Sequence, residues 1–189
     1  MKIKKLLKIF GLSILAGNIM NAEYIKRNGE IYYRDWSEEK TRILKNIDKK
    51  SFEILENDFA KDKNNKMLIL CSPHNPVGRV WKRKELEKIG KIALENDLII
   101  ISDEIHCDIL MPGFKHTVLQ TLSDELAEIT VTCTAPTKSF NLAGIGVSNI
   151  IIKNKKLRKQ FEAQMTKDDS HVFAALGFKA CELAYNEAE

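Results

Sequence analysis

No CxxC pair occurs among the four cysteines Cys71, Cys107, Cys133 and Cys181. Each lies in or beside an apolar run, where a reduced thiol behaves as a small hydrophobe, so neither a disulfide framework nor a metal site with ligand spacing is expected. A reducing, cytoplasmic setting is the expectation that follows. Charge of one sign is also scarce, with 30 Lys and Arg against 26 Asp and Glu. The surplus sits at the start: residues 1–66 carry 15 basic and 10 acidic side chains, residues 67–189 carry 15 and 16. A nucleic-acid binder needs a clustered basic face to neutralise phosphates, so nucleic acid is not an expected partner. Nor is a membrane, because no apolar run approaches the roughly 20 residues of a spanning helix. The start, MKIKKLLKIFGLSILAG, imitates a secretory signal, but Lys8 shortens its apolar core to Ile9–Gly17 and no small-x-small cleavage site follows. A terminal amphipathic helix, or the remnant of a longer parent, is the expected reading. Repeats, low-complexity tracts and an interdomain linker are all missing, and 189 residues with 44% hydrophobic content suffice for one core.

The pattern is weak before residue 66, where NGEIYY reads as a strand after an Asn-Gly turn and Ile43 to Phe59 as a charged helix. Residues 1–65 are therefore set apart from 66–189. In the second region Met67–Cys71 and Leu98–Ser102 are continuous apolar runs that read as buried strands. Between them Leu86, Ile89, Ile92 and Ala93 recur at helical spacing, and Asn96-Asp97 signals the stop. Ser123 is a plausible N-cap ahead of Asp124 and Glu125, and Ile129–Cys133 reads as a third strand. A fourth strand over 147–152 and helices over 155–165 and 172–185 complete the pattern. Alternating strands and helices predict an α/β fold with a mostly parallel sheet covered by helices on both faces.

Ligands of such sheets bind outside the carboxyl ends of the strands. The segments just past three successive strands are Ser72-Pro-His-Asn-Pro-Val-Gly78, Asp103-Glu-Ile-His106 and Thr134-Ala-Pro-Thr-Lys138. An Asp at a strand end can hold a protonated ring nitrogen, and a nearby Lys can form an imine with an aldehyde. Those two demands together describe pyridoxal 5'-phosphate. Taken singly, Lys138 reads as a solvated loop residue, Asp103 as a helix cap and Asn75 as a turn former; their joint placement argues for chemistry. His74 and His116 read as turn or surface residues, and His171 as part of a helix start. Gly144-Ile-Gly146 lacks the third glycine of a phosphate loop and reads as a tight turn. Lys155, Lys156, Arg158 and Lys159 read as a solvated helix face.

The ordered set CSPHNPVGRVW, SDEIH and TAPTKSFNLAG resembles the class I/II aminotransferases, fold-type-I pyridoxal-phosphate enzymes, and within them the MalY/PatB-like cystathionine β-lyase group of carbon–sulfur lyases. The resemblance implies that Lys138 carries the cofactor and acts as the base at the substrate Cα. It implies that Asp103 pairs with the pyridine nitrogen, that Asn75 bonds the ring's phenolic oxygen, and that Thr137 reaches the phosphate. His106 stands where aminotransferases of this fold usually have Tyr, which shifts the expected reaction from transamination to β-elimination. Cystathionine or cysteine would then yield a thiol, pyruvate and ammonia.

The resemblance also implies parts that the sequence does not display: an upstream small-residue phosphate loop, an aromatic residue stacking on the ring, a phosphate-binding Arg shortly after the lysine, and a downstream small domain with a carboxylate-binding Arg. Residues 66–189 are accordingly expected to be the central part of a cofactor-binding large domain, and the chain a partial one. The alternatives are an aminotransferase, an inactive fragment or a non-catalytic regulatory binding protein. A homodimer or another self-associating form is expected, since relatives share active sites between subunits and a cut sheet exposes its edge.

Overall fold

The computed structural model describes residues 24–27, 30–33, 55, 57, 60–75, 78–167 and 175–187. The terminal amphipathic helix, His171 and nearly all of the helix expected over 43–59 lie outside them. Tyr24–Arg27 (β1) and Glu30–Tyr33 (β2) pair antiparallel as a hairpin. The strand expected within NGEIYY is the second of these, over Glu30–Tyr33.

Beyond residue 66 the order is Met67–Cys71 (β3), Arg83–Glu95 (α1), Ile99–Asp103 (β4), Asp124–Ile129 (α2), Thr130–Thr134 (β5), Pro136–Ser139 (α3), Asn149–Ile152 (β6), Lys155–Lys167 (α4) and Ala175–Glu187 (α5). The four strands from β3 to β6 form one sheet in chain order. The pairs β3–β4 and β4–β5 are parallel, and β5–β6 is antiparallel. A parallel return needs a crossover of a dozen or more residues, normally a full helix laid across the sheet. Here α3 has only four residues, so the chain turns back at the end of the sheet it has just reached and β6 runs the other way. Hydrophobic periodicity reports burial and not direction, which is why this reversal was not expected from the pattern.

Both faces are covered. Leu68, Leu70 and Ile100 pack with Leu86, Ile89, Ile92 and Ala93 of α1 on one side. Ile101, Val131, Cys133 and Ile152 pack with Leu157 and Phe161 of α4 on the other. Strand alternation sends successive side chains to opposite faces and thereby builds both cores from the same apolar runs. The helix signals act as their chemistry predicts. Ser123 Oγ accepts the Leu126 N–H at 3.2 Å, and Asn96 Nδ2 donates to the Ile92 carbonyl at 2.8 Å as Asp97 turns left-handed at φ 55°. The charged side chains of α4 face solvent. No helix among the described residues is long and apolar enough to cross a membrane.

Candidate active site

The parallel pairing brings Cys71, Asp103 and Cys133 into one row across the carboxyl ends of β3, β4 and β5. Beyond that row the backbone ladder runs one step further: Ser72 N–H donates to the Asp103 carbonyl at 3.0 Å and Glu104 N–H to the Cys133 carbonyl at 2.9 Å. Asp103 is thus the last residue of its strand, with Oδ1 accepting the Ile105 N–H at 3.3 Å. Burial pushes its carboxyl from the ordinary 3.8 to about 6, and neighbouring Glu104 adds a smaller upward push. Burial and the Asp103 charge also raise the Cys71 thiol to about 12 and push Cys133 up as well. Both thiols stay protonated, so the carboxyl's two neighbours across the row of strand ends are uncharged.

The loop after β3 is closed at its base. It begins at a cis Ser72–Pro73 peptide. His74 N–H bonds the Arg79 carbonyl at 2.8 Å, Gly78 N–H bonds the His74 carbonyl at 2.7 Å, and Gly78 takes φ 73°, a value that favours glycine. Trp81, 1% exposed, sends its indole N–H to the Cys71 carbonyl at 3.0 Å while Arg79 stacks 4.1 Å from its ring centroid. Asn75 lies in this loop with an exposed side chain, and its backbone amide bonds the Cys71 sulfur beside Asp103. Pro76 and Val77 lie outside the described residues.

Lys138 and Thr137 lie on α3, directly beyond β5 and at the same end of the sheet. His106 lies on the loop after β4. Its imidazole is lowered below the ordinary 6.5, first by burial and then by the positive charge of Lys138, which puts the two side chains in electrostatic reach of one another. His106 Nε2 is buried without a hydrogen-bond partner among the described residues. All five sequence-predicted residues, Asn75, Asp103, His106, Thr137 and Lys138, therefore gather at one sheet end.

Of two histidines read as turn or surface residues, one differs from expectation. His74 is in a turn as expected but is 4% exposed. His116 is no surface residue: its Nε2 lies 2.7 Å from Glu104 Oε2, and the side chains are 9% and 1% exposed. Glu104 Oε1 accepts from Ser102 Oγ at 2.7 Å and Leu119 N–H at 3.2 Å. A buried carboxylate needs such a full set of donors. Sequence reasoning passed over Glu104 although it adjoins Asp103, and the only signal was an acidic residue directly after an apolar strand.

The donor set fits pyridoxal 5'-phosphate. A carboxyl at a strand end with no cation among its influences suits a cationic ring nitrogen, and Lys138 stands just past the next strand within electrostatic reach of His106.

A mostly parallel sheet covered by helices, with a carboxyl at one strand end and a lysine just past the next, is the arrangement of the pyridoxal-phosphate-dependent aminotransferase-type fold. Residues 28–176 match the family model for aminotransferase class I and II, and the chain belongs to that family. It is 43% identical over 136 residues to cystathionine beta-lyase PatB of Bacillus subtilis, covering 72% of this chain and 35% of that protein. An aspartate aminotransferase of Bacillus sp. is 42% identical over 79 residues, 42% of this chain and 20% of that one. Among solved structures, cystalysin from Treponema denticola, which contains a pyridoxal 5'-phosphate cofactor, matches with a TM-score of 0.70 and 46% identity over 88% of this chain and 38% of its own. The chain thus spans little more than a third of the lyase relatives it matches.

Proposed function

We propose that this chain is the cofactor-binding core of a pyridoxal-phosphate-dependent carbon–sulfur β-lyase, converting cystathionine or cysteine to a thiol, pyruvate and ammonia. The observation that carries the reading is the buried Asp103 carboxyl at one strand end with Lys138, beside a neutral His106, just past the next. When bound, pyridoxal 5'-phosphate supplies the electron sink that makes the substrate Cα–H acidic. Asp103 would hold the ring nitrogen by a charge-assisted bond, and that cationic partner would offset the cost of burying its carboxylate. Lys138 would carry the cofactor, and its amine would be the base placed to take the proton from the substrate Cα. Asn75 would bond the ring's phenolic oxygen and Thr137 the phosphate, with His106 on the loop between them completing the cofactor-binding set. Residues 66–189 form this cofactor-binding part of a large domain, completed by further segments or a second copy. The free thiols suit a reducing, cytoplasmic setting.

The test is to mix the chain with pyridoxal 5'-phosphate, reduce with borohydride and map the labelled peptides. Selective labelling of Lys138, lost in Asp103→Ala, is expected; labelling spread over surface lysines overturns the cofactor site and leaves a fragment or a non-catalytic binding protein. The similarity to aspartate aminotransferase over 79 residues supports transamination as the second reading. Supplying the missing segments and assaying cystathionine separates the two, since pyruvate and thiol mark the lyase and amino transfer to a keto acid marks the aminotransferase.

A further inference from the structure

Lys138 stands on a helix too short to hold itself. α3 has four residues, and its closing bonds are Phe140 N–H to the Pro136 carbonyl at 2.9 Å and Leu142 N–H to the Thr137 carbonyl at 3.1 Å. A single turn fixes several backbone dihedrals for very few hydrogen bonds and is unfavourable unless contacts from outside support it. One contact is apolar, the Phe140 ring packing edge-on against Tyr185 of α5 with centroids 5.6 Å apart. The other is polar: Asp108 Oδ2 accepts the Ser139 hydroxyl at 2.6 Å, across 31 positions of chain. The second oxygen of Asp108 accepts the Cys107 thiol at 3.5 Å, and that thiol, pushed up to about 11 by burial and by Asp108, remains a donor. Both oxygens of one exposed carboxylate are thereby engaged, one of them by the residue adjoining Lys138. Asp108 also follows His106 by two positions, so the loop that sets the imidazole beside Lys138 is the loop that grips the lysine's own turn.

We propose that Asp108 is a positioning residue which, through Ser139, fixes the one-turn helix carrying Lys138. This rests on reading Lys138 as the cofactor-bearing lysine. Nothing in the local sequence announces the tether, because its two ends lie on different loops.

The test uses Asp108→Ala, Asp108→Asn and Ser139→Ala in the 189-residue chain, with two readouts. Without cofactor, amide hydrogen exchange at Phe140 and Leu142 is compared with exchange in β4 and β5. Loss of one hydrogen bond is expected to accelerate the two turn amides by up to about tenfold in Asp108→Ala and Ser139→Ala while the strand amides keep their rates. Asp108→Asn, whose amide oxygen still accepts the hydroxyl, should stay near the parent, and the double alanine variant should exchange no faster than either single one. With pyridoxal 5'-phosphate and borohydride, the fraction of label on Lys138 should fall in the alanine variants and recover in Asp108→Asn. Unchanged turn amides overturn the tether, as does a uniform rise across the sheet. Ser139→Ala removes only one hydroxyl and carries the test should Asp108→Ala lose the fold. Absence of Lys138 labelling in the parent chain overturns the cofactor reading, whereas the exchange rates judge the tether on their own.

Discussion

Glu104 and His116 form a buried pair, Oε2 to Nε2 at 2.7 Å, twelve positions apart in the chain. The pair ties the start of the loop after β4 to its end, with Asp103 on one flank and the 3-10 turn Leu119–Thr121 on the other. Removing one partner of a buried, hydrogen-bonded pair leaves an uncompensated polar group, at a cost of roughly 3–5 kcal/mol. His116→Ala is expected to lower stability by that order in urea denaturation. Glu104→Gln keeps an acceptor for the imidazole and should cost clearly less; equal losses in the two variants would contradict the pairing.

Asp103 predicts a pH dependence. Its carboxyl is raised in the folded chain from 3.8 to about 6, so the folded state holds its proton where the unfolded state has lost it. Stability from this group is full below the unfolded value and is lost as pH rises from about 4 to about 6, by on the order of 3 kcal/mol. Asp103→Asn should flatten that slope in denaturation curves measured across this range. A parent chain whose Asp103-dependent stability rises over the same interval would reverse the sign and overturn the assignment.

The coupling of His106 to Lys138 is directly measurable. Both burial and the lysine charge lower the imidazole, burial being the larger cause. Lys138→Met removes the charge and should raise the His106 titration seen by NMR, while burial keeps it below 6.5. No movement in that variant would mean that the two side chains do not meet.

Association should accompany the open edges of the fold. Leu176 and Phe178 of α5 are 72% and 60% exposed, and β3 has no neighbour on its outer side among the described residues. Exposed apolar surface and an unpaired strand edge favour contact between chains. Sedimentation at micromolar concentration is expected to show self-association, reduced in a Leu176→Glu, Phe178→Glu variant. A sharp monomer boundary for the parent chain would refute it.

Much of the fold was legible because burial leaves a periodic trace. Leu86, Ile89, Ile92 and Ala93 mark one helix, and the runs ending at Cys71 and Ser102 mark two strands, with Asp103 closing the second. Asn75, Asp103 and Lys138 stood out since they follow apolar strands, where a sheet of this kind opens to ligands. The pairs Glu104–His116 and Asp108–Ser139 left no such trace. Each joins polar residues through space, and an acidic side chain that will be buried looks in sequence like any solvated one. Strand direction was hidden for a related reason, since β6 is apolar whichever way it runs.

The reversal at β6 also sets how much chain entropy each pairing of the sheet must lose. Pairing β5 with β6 closes only the segment from Ala135 to Ser148, whereas β3–β4 and β4–β5 must first close the longer stretches that contain α1 and α2. Chain entropy lost on closure grows with the length enclosed, so among the sheet's three pairings the one framing Lys138 is entropically the least demanding. The rim around Lys138 therefore costs the sheet less closure entropy than the row of strand ends that holds Asp103.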